Sequence, residues 1–418
     1  MVLENKKKKK KDTKTPSYYV RKRLTKNIPA MFGFSMIVVA HIIAFLGYLL
    51  MPDQTPNAND GSPLIKKQQP GFEAKLLKIR KNRQVHQVNI ITRMYMGQES
   101  EYSLMPIDQC FVKGLKVYYS NYGRPDQIDS LDLITTVLPI YVGTSDKINS
   151  DLNYKVVGDK VTYLDPEEVI HTTTIADLQA KFEKENVENR KFLLGTDKGG
   201  RDIMSRLLFG TRISLSIGFI SVLISVIVGV TLGALAGFFG GRIDNFIIWL
   251  MTVVWSIPGI MLVIAISLAL QSKGVWVAFV AVGLTMWVEV ARVVRGQIIA
   301  IKEKLFVEAA KALGIANLRI IFVHILPNIV GPLIVIATAN FASAILIEAG
   351  LSFLGLGVQP PMPSWGMMVF EGYNSIGSRG SGYLVTLPSL CIFLIVLSFN
   401  LFGNGLRDAY DPKTAVKW

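Results

Sequence analysis

The sequence predicts an all-α polytopic membrane protein with six transmembrane helices and an inserted α/β extracytoplasmic domain between helices 1 and 2. Three observations lead there. Half of the 418 residues are hydrophobic, and mean hydropathy is +0.37, high for a soluble domain. The apolar residues collect in runs close to the ~20 residues that cross a bilayer. Segment 52–206 breaks the pattern, being polar, mixed in charge and without a long apolar run.

The elements follow in order. A basic tail, 1–27, precedes the first span, 28–51. That span reads as a retained anchor: its apolar region is too long for a removable signal, and no small-residue cleavage site follows. Segment 53–69 is a Pro/Asn/Gly/Gln-rich linker. Residues 84–96 have strand-like content in Val85, Val88, Ile90 and Ile91. Residues 154–164 read as a hairpin turning at Gly158-Asp159. Residues 174–189 read as a helix, with Thr174 as N-cap and Asp177 three residues on. A core of five further spans, 207–406, contains apolar runs at 211–239, 246–270, 275–294, 329–349 and 384–402. Gly229, Gly233 and Gly237 suit close helix packing, and Pro258-Gly259 suits a kink. A cytoplasmic loop, 295–328, and a C-terminal tail, 407–418, complete the chain.

Charge sets the expected orientation. The lysine run 6–11 and Arg21, Lys22, Arg23 and Lys26 flank the first span, and positive residues favour the cytoplasmic side. Six spans return the C-terminus to that side, with Arg407, Lys413 and Lys417. Arg242 and the loop bearing Arg292, Arg295, Lys302, Lys304, Lys311 and Arg319 then also face inward. The short outer loop at 271–274 carries only Lys273, and the outer segment 350–383 only Arg379. The net charge of +14 follows from this asymmetry and from contact with anionic lipids. Nothing else resembles a nucleic-acid fold, so no nucleic-acid partner is expected.

The residues that stand out for function lie in that basic loop: Glu308-Ala309-Ala310-Lys311-Ala312-Leu313-Gly314, then His324-Ile325-Leu326-Pro327-Asn328. Two small alanines allow close approach of a partner, and Gly314 suits a left-handed helix end. An ordinary amphipathic connector ending at a glycine has the same spacing, so the residues alone leave both readings open. Glu348 reads first as an interfacial residue satisfied by solvent or helix-end amides, with a polar lining of a translocation path as the functional alternative. Glu289 and Arg292 are spaced as a same-face pair. In 195–202, Thr196 or Asp197 is expected to cap a helix, with 203–213 amphipathic at the outer surface.

Other chemistry is excluded. Cys110 and Cys391 fall in different regions and are not expected to meet. The four histidines (His41, His86, His171, His324) have no metal-ligand spacing. The chain has no Gly-x-x-x-x-Gly-Lys-Ser/Thr loop, no Gly-x-Ser-x-Gly and no His-Glu-x-x-His, and it is not expected to be an enzyme or to bind a cofactor.

From 194 to 412 the sequence resembles the permease subunit of binding-protein-dependent ABC importers, dipeptide/oligopeptide type. The resemblance rests on Gly195-Thr196-Asp197 to Asp202, Ala291-Arg292-Val293-Val294-Arg295-Gly296-Gln297, the Glu-Ala-Ala segment with His324 to Asn328, Glu348-Ala349-Gly350-Leu351-Ser352-Phe353, Pro363-Ser364-Trp365-Gly366, and Asn400 to Asp408. It implies a type I ABC importer-like fold in a bacterial cell membrane. Glu308, Ala309, Ala310 and Gly314 would form the helix that docks on an ATPase. Implied partners are a second homologous permease, two cytoplasmic ABC ATPases that use ATP and Mg, and an external substrate-binding lipoprotein that delivers a peptide. Two departures stand out. Trp287-Val288-Glu289 replaces the family's proline-containing segment, and the insert between the first two spans is enlarged. Nickel chelates or another small solute are the alternative substrates within the family. A membrane-anchored surface receptor is a rival of another class. A proton-coupled carrier would need paired mid-membrane ionisable residues and inverted repeats, and the sequence shows neither.

Overall fold

The computed structural model describes residues 16–148, 152–272, 274–377 and 380–411. The lysine run 6–11, Lys273, Arg379, Lys413 and Lys417 lie outside the described residues.

A basic helix α1 (Pro16–Lys26) leads into α2 (Ile28–Leu46). Asn27 caps α2, its side chain accepting from Ala30 N. The insert follows. Its strands are β1 (Phe72–Arg80), then, after helix α3 (Ile90–Met96), β2 (Tyr102–Lys113), β3 (Lys116–Asn121) and β4 (Ile128–Asp132). Next come α4 (Leu133–Val137), β5 (Tyr154–Val157), β6 (Lys160–Leu164), β7 (Ile170–Thr174), α5 (Ile175–Glu185) and β8 (Val187–Phe192). One sheet has the order β4-β3-β2-β1-β8 and a second β5-β6-β7. Every strand pairing among the described residues is antiparallel, so helices and strands coexist there without parallel crossovers. The core of the insert gathers Leu77, Ile107, Val117, Leu133, Ile134 and Phe182.

The expected hairpin is present, with Gly158 at φ +62 in its turn. Thr174 caps α5 through Asp177 N, but the helix stops at Glu185 because the chain then enters β8, paired with β1. Residues 84–96 correct the strand expectation. Asn89 accepts from Thr92 N at 2.7 Å, starting a helix that Gly97 ends at φ +79. A local side-chain cap outweighs the β-propensity of Ile90 and Ile91 where no neighbouring strand offers a ladder.

The membrane helices are α6 (Ile203–Phe239), α7 (Gly241–Ser256), α8 (Gly259–Ala269) and α9 (Val275–Lys302). Beyond them lie α10 (Leu305–Ala312), α11 (Asn317–Arg319), α12 (Val330–Phe353), α13 (Trp365–Tyr373) and α14 (Tyr383–Tyr410). Among the described residues, five helices are long and apolar enough to cross a membrane, and the pair α7–α8, bent by 94°, makes a sixth if it is one span. Pro258 explains the break, since it forces the preceding Ile257 into an extended conformation (φ −89, ψ 127). The expected domain boundary at 206/207 falls inside α6, which starts four residues earlier at Ile203.

The glycine stripe on α6 packs against α9. A Cβ at Gly229 would lie 2.5 Å from Val290 Cβ, one at Gly233 2.5 Å from Ala291 O, and one at Gly237 2.9 Å from Arg295 O. Contacts advance in the same direction along both helices, so α6 and α9 run parallel. Helix α1 also meets the end of α14: Arg23 donates to Ala409 O (3.3 Å) and Asp411 O (3.2 Å).

Candidate coupling surface and buried polar sites

Helix α10 joins α9 to the start of α12. Lys304 is its extended N-cap residue (φ −82, ψ 142), and Glu308 lies in its first turn, where a carboxylate complements the helix dipole. Gly314 ends it at φ +71. Gly314 N donates to Lys311 O (2.9 Å) and Ile315 N to Ala310 O (3.2 Å), the two bonds of a Schellman motif. The predicted turn at Gly314 is therefore present.

Side chains three apart sort to two faces. Val307 and Ala310 point inward, packed with Ala234, Phe238, Ile320 and Ile325. Leu305 (82% exposed), Leu313 (79%) and Phe306 (46%) point out, together with Glu308, Ala309 and Ala312. Of the residues expected to dock, Ala310 lies in the internal contact, whereas Glu308 and Ala309 are exposed. Leu305 and Leu313 are the most exposed large hydrophobic side chains of the loop. An outward leucine beside a helix cap gives no local signal of its partner.

The rest of the loop is irregular. Ile320–Ile325 form a π-helical turn and Leu326–Ile329 a 3-10 turn. Asn328 Nδ2 donates to His324 O at 2.6 Å. Two contacts brace this end of the bundle. Arg295 binds Asp244 of α7 with two bonds, 2.6 and 2.8 Å, and Lys302 donates to Gly237 O at 3.1 Å. Beside the loop lies a cleft of about 1150 Å³ between α9, α12 and α14, reached by Gln297, Asn328, Ile336, Asn400 and Arg407.

Glu348 is elsewhere. It has no exposed surface, and its Oε1 accepts from Ser352 Oγ (2.7 Å) and Ser364 Oγ (2.8 Å). This overturns the solvent-satisfied interfacial reading, because α13 and the turn before it close over the end of α12. Glu348 does not reach the cleft. The Glu289–Arg292 pair also differs. Arg292 lies 3.5 Å over the Trp255 ring, and no ion pair joins it to Glu289 among the described residues. A guanidinium on an indole face satisfies its charge without a carboxylate.

Segment 195–202 caps α6 through Asp202, whose Oδ2 accepts from Ser205 N at 2.8 Å, not through Thr196 or Asp197. Those two residues tie the insert to the bundle. Thr196 Oγ1 accepts from Gln68 N (2.9 Å), and its carbonyl accepts from Tyr383 Oη of α14 (2.9 Å). Asp197 pairs with Arg201 (2.7 Å) and Arg206 (3.3 Å). Ile203 and Leu207 are buried, so this stretch is the first part of a spanning helix and not a surface amphipathic one. Sequence reading missed Glu371 of α13, which meets Arg201 (3.2 Å), Arg206 (3.4 Å) and Lys198 (3.3 Å). Arg206 is 1% and Glu371 5% exposed. Among the described residues no cluster of His, Cys, Asp and Glu could hold a metal ion.

Residues 229–416 match the family described as "Binding-protein-dependent transport system inner membrane component". The chain is 44% identical over 220 residues to a glutathione transport system permease protein of Pectobacterium atrosepticum, covering 53% of this chain and 72% of the relative. It is 45% identical over 219 residues to a dipeptide transport system permease protein of Alkalihalophilus pseudofirmus (52% and 71%). It is 41% identical over 219 residues to an oligopeptide transport system permease protein of Escherichia coli K12 (52% and 72%). With more than two thirds of each relative matched at this identity, the chain belongs to the family of inner membrane components of binding-protein-dependent transport systems.

Proposed function

We propose that this chain is the membrane-spanning permease subunit of an ATP-driven importer for dipeptides or oligopeptides delivered by an external binding protein. The observation that carries the energy-coupling part is α10: a short helix, rigidly held by Val307 and Ala310, closed by a Schellman turn, and presenting Leu305, Leu313 and Ala309 to solvent. Such a surface suits the groove of a cytoplasmic ATPase that uses ATP and Mg. The peptide substrate follows from the names of the relatives, which include dipeptide, oligopeptide and glutathione systems.

In this reading the bundle crosses six times in a type I importer-like arrangement. The parallel run of α6 and α9 needs one crossing between them, which α7–α8 provides. Contact between α1 and the end of α14 needs an even number of crossings between them. Arg21, Lys22, Arg23 and Lys26 beside the first span favour the cytoplasmic side for that end, which leaves the insert outside. A second permease subunit would complete the pathway, and the cleft reached by Gln297 and Asn400 would open toward it.

The test is purification of the tagged chain from its host membrane in mild detergent, with mass spectrometry of what accompanies it. Recovery of P-loop ATPases and a second permease is the expected result. The chain alone, with unchanged peptide uptake by an Ala309→Glu variant, would overturn the proposal and favour an anchored receptor.

A further inference from the structure

Helix α3 concentrates exposed apolar side chains on one short segment of the insert. Of its seven residues, Ile90 is 69%, Ile91 65%, Tyr95 50% and Met96 70% exposed. Its one charged side chain is tied back to the protein, and its first turn is capped. Arg93 Nε donates to Gln54 Oε1 at 2.7 Å, and Thr92 N is held by the Asn89 cap. A helix on a water-facing surface has the reverse pattern.

Its position supplies the second observation. Arg212 of α6 donates Nε to Ala44 O, in the last turn of α2, at 2.9 Å. The same guanidinium donates to Tyr95 O and Met94 O, both at 2.9 Å, in the last turn of α3. One cation therefore holds both helix ends at one height. Tyr95 packs edge-to-face on Phe45 of α2 at 6.2 Å, and Phe45 is itself 58% exposed. The apolar surface of α3 thus continues the lipid-facing surface of a spanning helix, at its outgoing end. Tyrosine is enriched at this level of a membrane.

We propose that α3 is a membrane foot: it seats Ile90, Ile91, Tyr95 and Met96 in the headgroup–acyl boundary of the bilayer. The occupant of this face is lipid. The inference rests on α2 crossing the membrane and not on the transport reading.

The experiment uses the full chain in a Cys110→Ser, Cys391→Ala background, in nanodiscs, with an environment-sensitive fluorophore on Ile91→Cys or Met96→Cys. Val157→Cys, at an exposed position of β5 (66%), is the reference. Brominated lipid should quench the label at 91 and 96 at least twofold more than at 157, and aqueous iodide should quench them less. Iodide quenching equal to that at 157 would show the helix in water and overturn the proposal. Protection from both quenchers would show a protein on this face, the partner permease or a binding protein, and would overturn it equally.

Discussion

The double substitution Leu305→Ser, Leu313→Ser tests the coupling surface without touching the fold. Both leucines are about four-fifths exposed, at 82% and 79%, so the isolated chain gains little from them. Burial of a leucine in a partner's groove contributes ~1.5–3 kcal/mol. Taking ~1.5 kcal/mol for each, the pair contributes ~3 kcal/mol, or on the order of 100-fold in affinity. The inner face, Val307 and Ala310, is unchanged, so α10 should keep its place. The assay is titration of the ATPase subunit from the same host onto the chain in nanodiscs, followed by ATP-dependent peptide uptake in proteoliposomes. Expected are a roughly 100-fold rise in Kd, uptake near background, and an unchanged melting temperature. ATPase binding within threefold of wild type would refute the assignment of α10 as the docking element.

Further outcomes follow from the packing and the charges. Gly233→Leu should prevent recovery of folded protein, since even a Cβ there meets the backbone at Ala291 O. Gly296→Ala, with nothing within 4 Å, should fold and gain up to ~1 kcal/mol; equal recovery of both variants would disprove the close α6–α9 contact. Glu371→Gln should lower stability by ~1–3 kcal/mol, because Arg206, 1% exposed, loses one buried partner and keeps Asp197. The double variant Arg206→Met, Glu371→Gln should recover part of that loss, read as melting temperatures in detergent. Burial first, and then the Asp53 charge, push the Asp60 carboxyl up to about 6, against the opposing pull of Arg190 and Lys81. A raised folded pKa means that Asp60 contributes stability below its unfolded value of ~4, which is lost as pH rises through about 6. Asp60→Asn should flatten that window, and an identical pH profile would refute the assignment.

The sequence by itself determined what depends on neighbours along the chain. The apolar runs became membrane helices because only internally bonded segments are stable in lipid. Gly314 closes α10, and Thr174 caps α5, because caps are local geometry. Glycines four residues apart at 229, 233 and 237 lie on one side of any helix and so marked the α6–α9 seam. Tertiary structure decided the rest. The strand-like run containing Ile90 and Ile91 became helix α3, which joins neither sheet of the described residues. Ala310 turned inward because the π-helical turn at Ile320–Ile325 packs under it. Glu371 found Arg206 across 165 residues, and Glu348 lost its solvent to Ser364 across 16. The charge of a side chain is written in the sequence, but its partner is set by which helices the fold brings together. In a low-dielectric interior that partner decides whether the charge can be there at all.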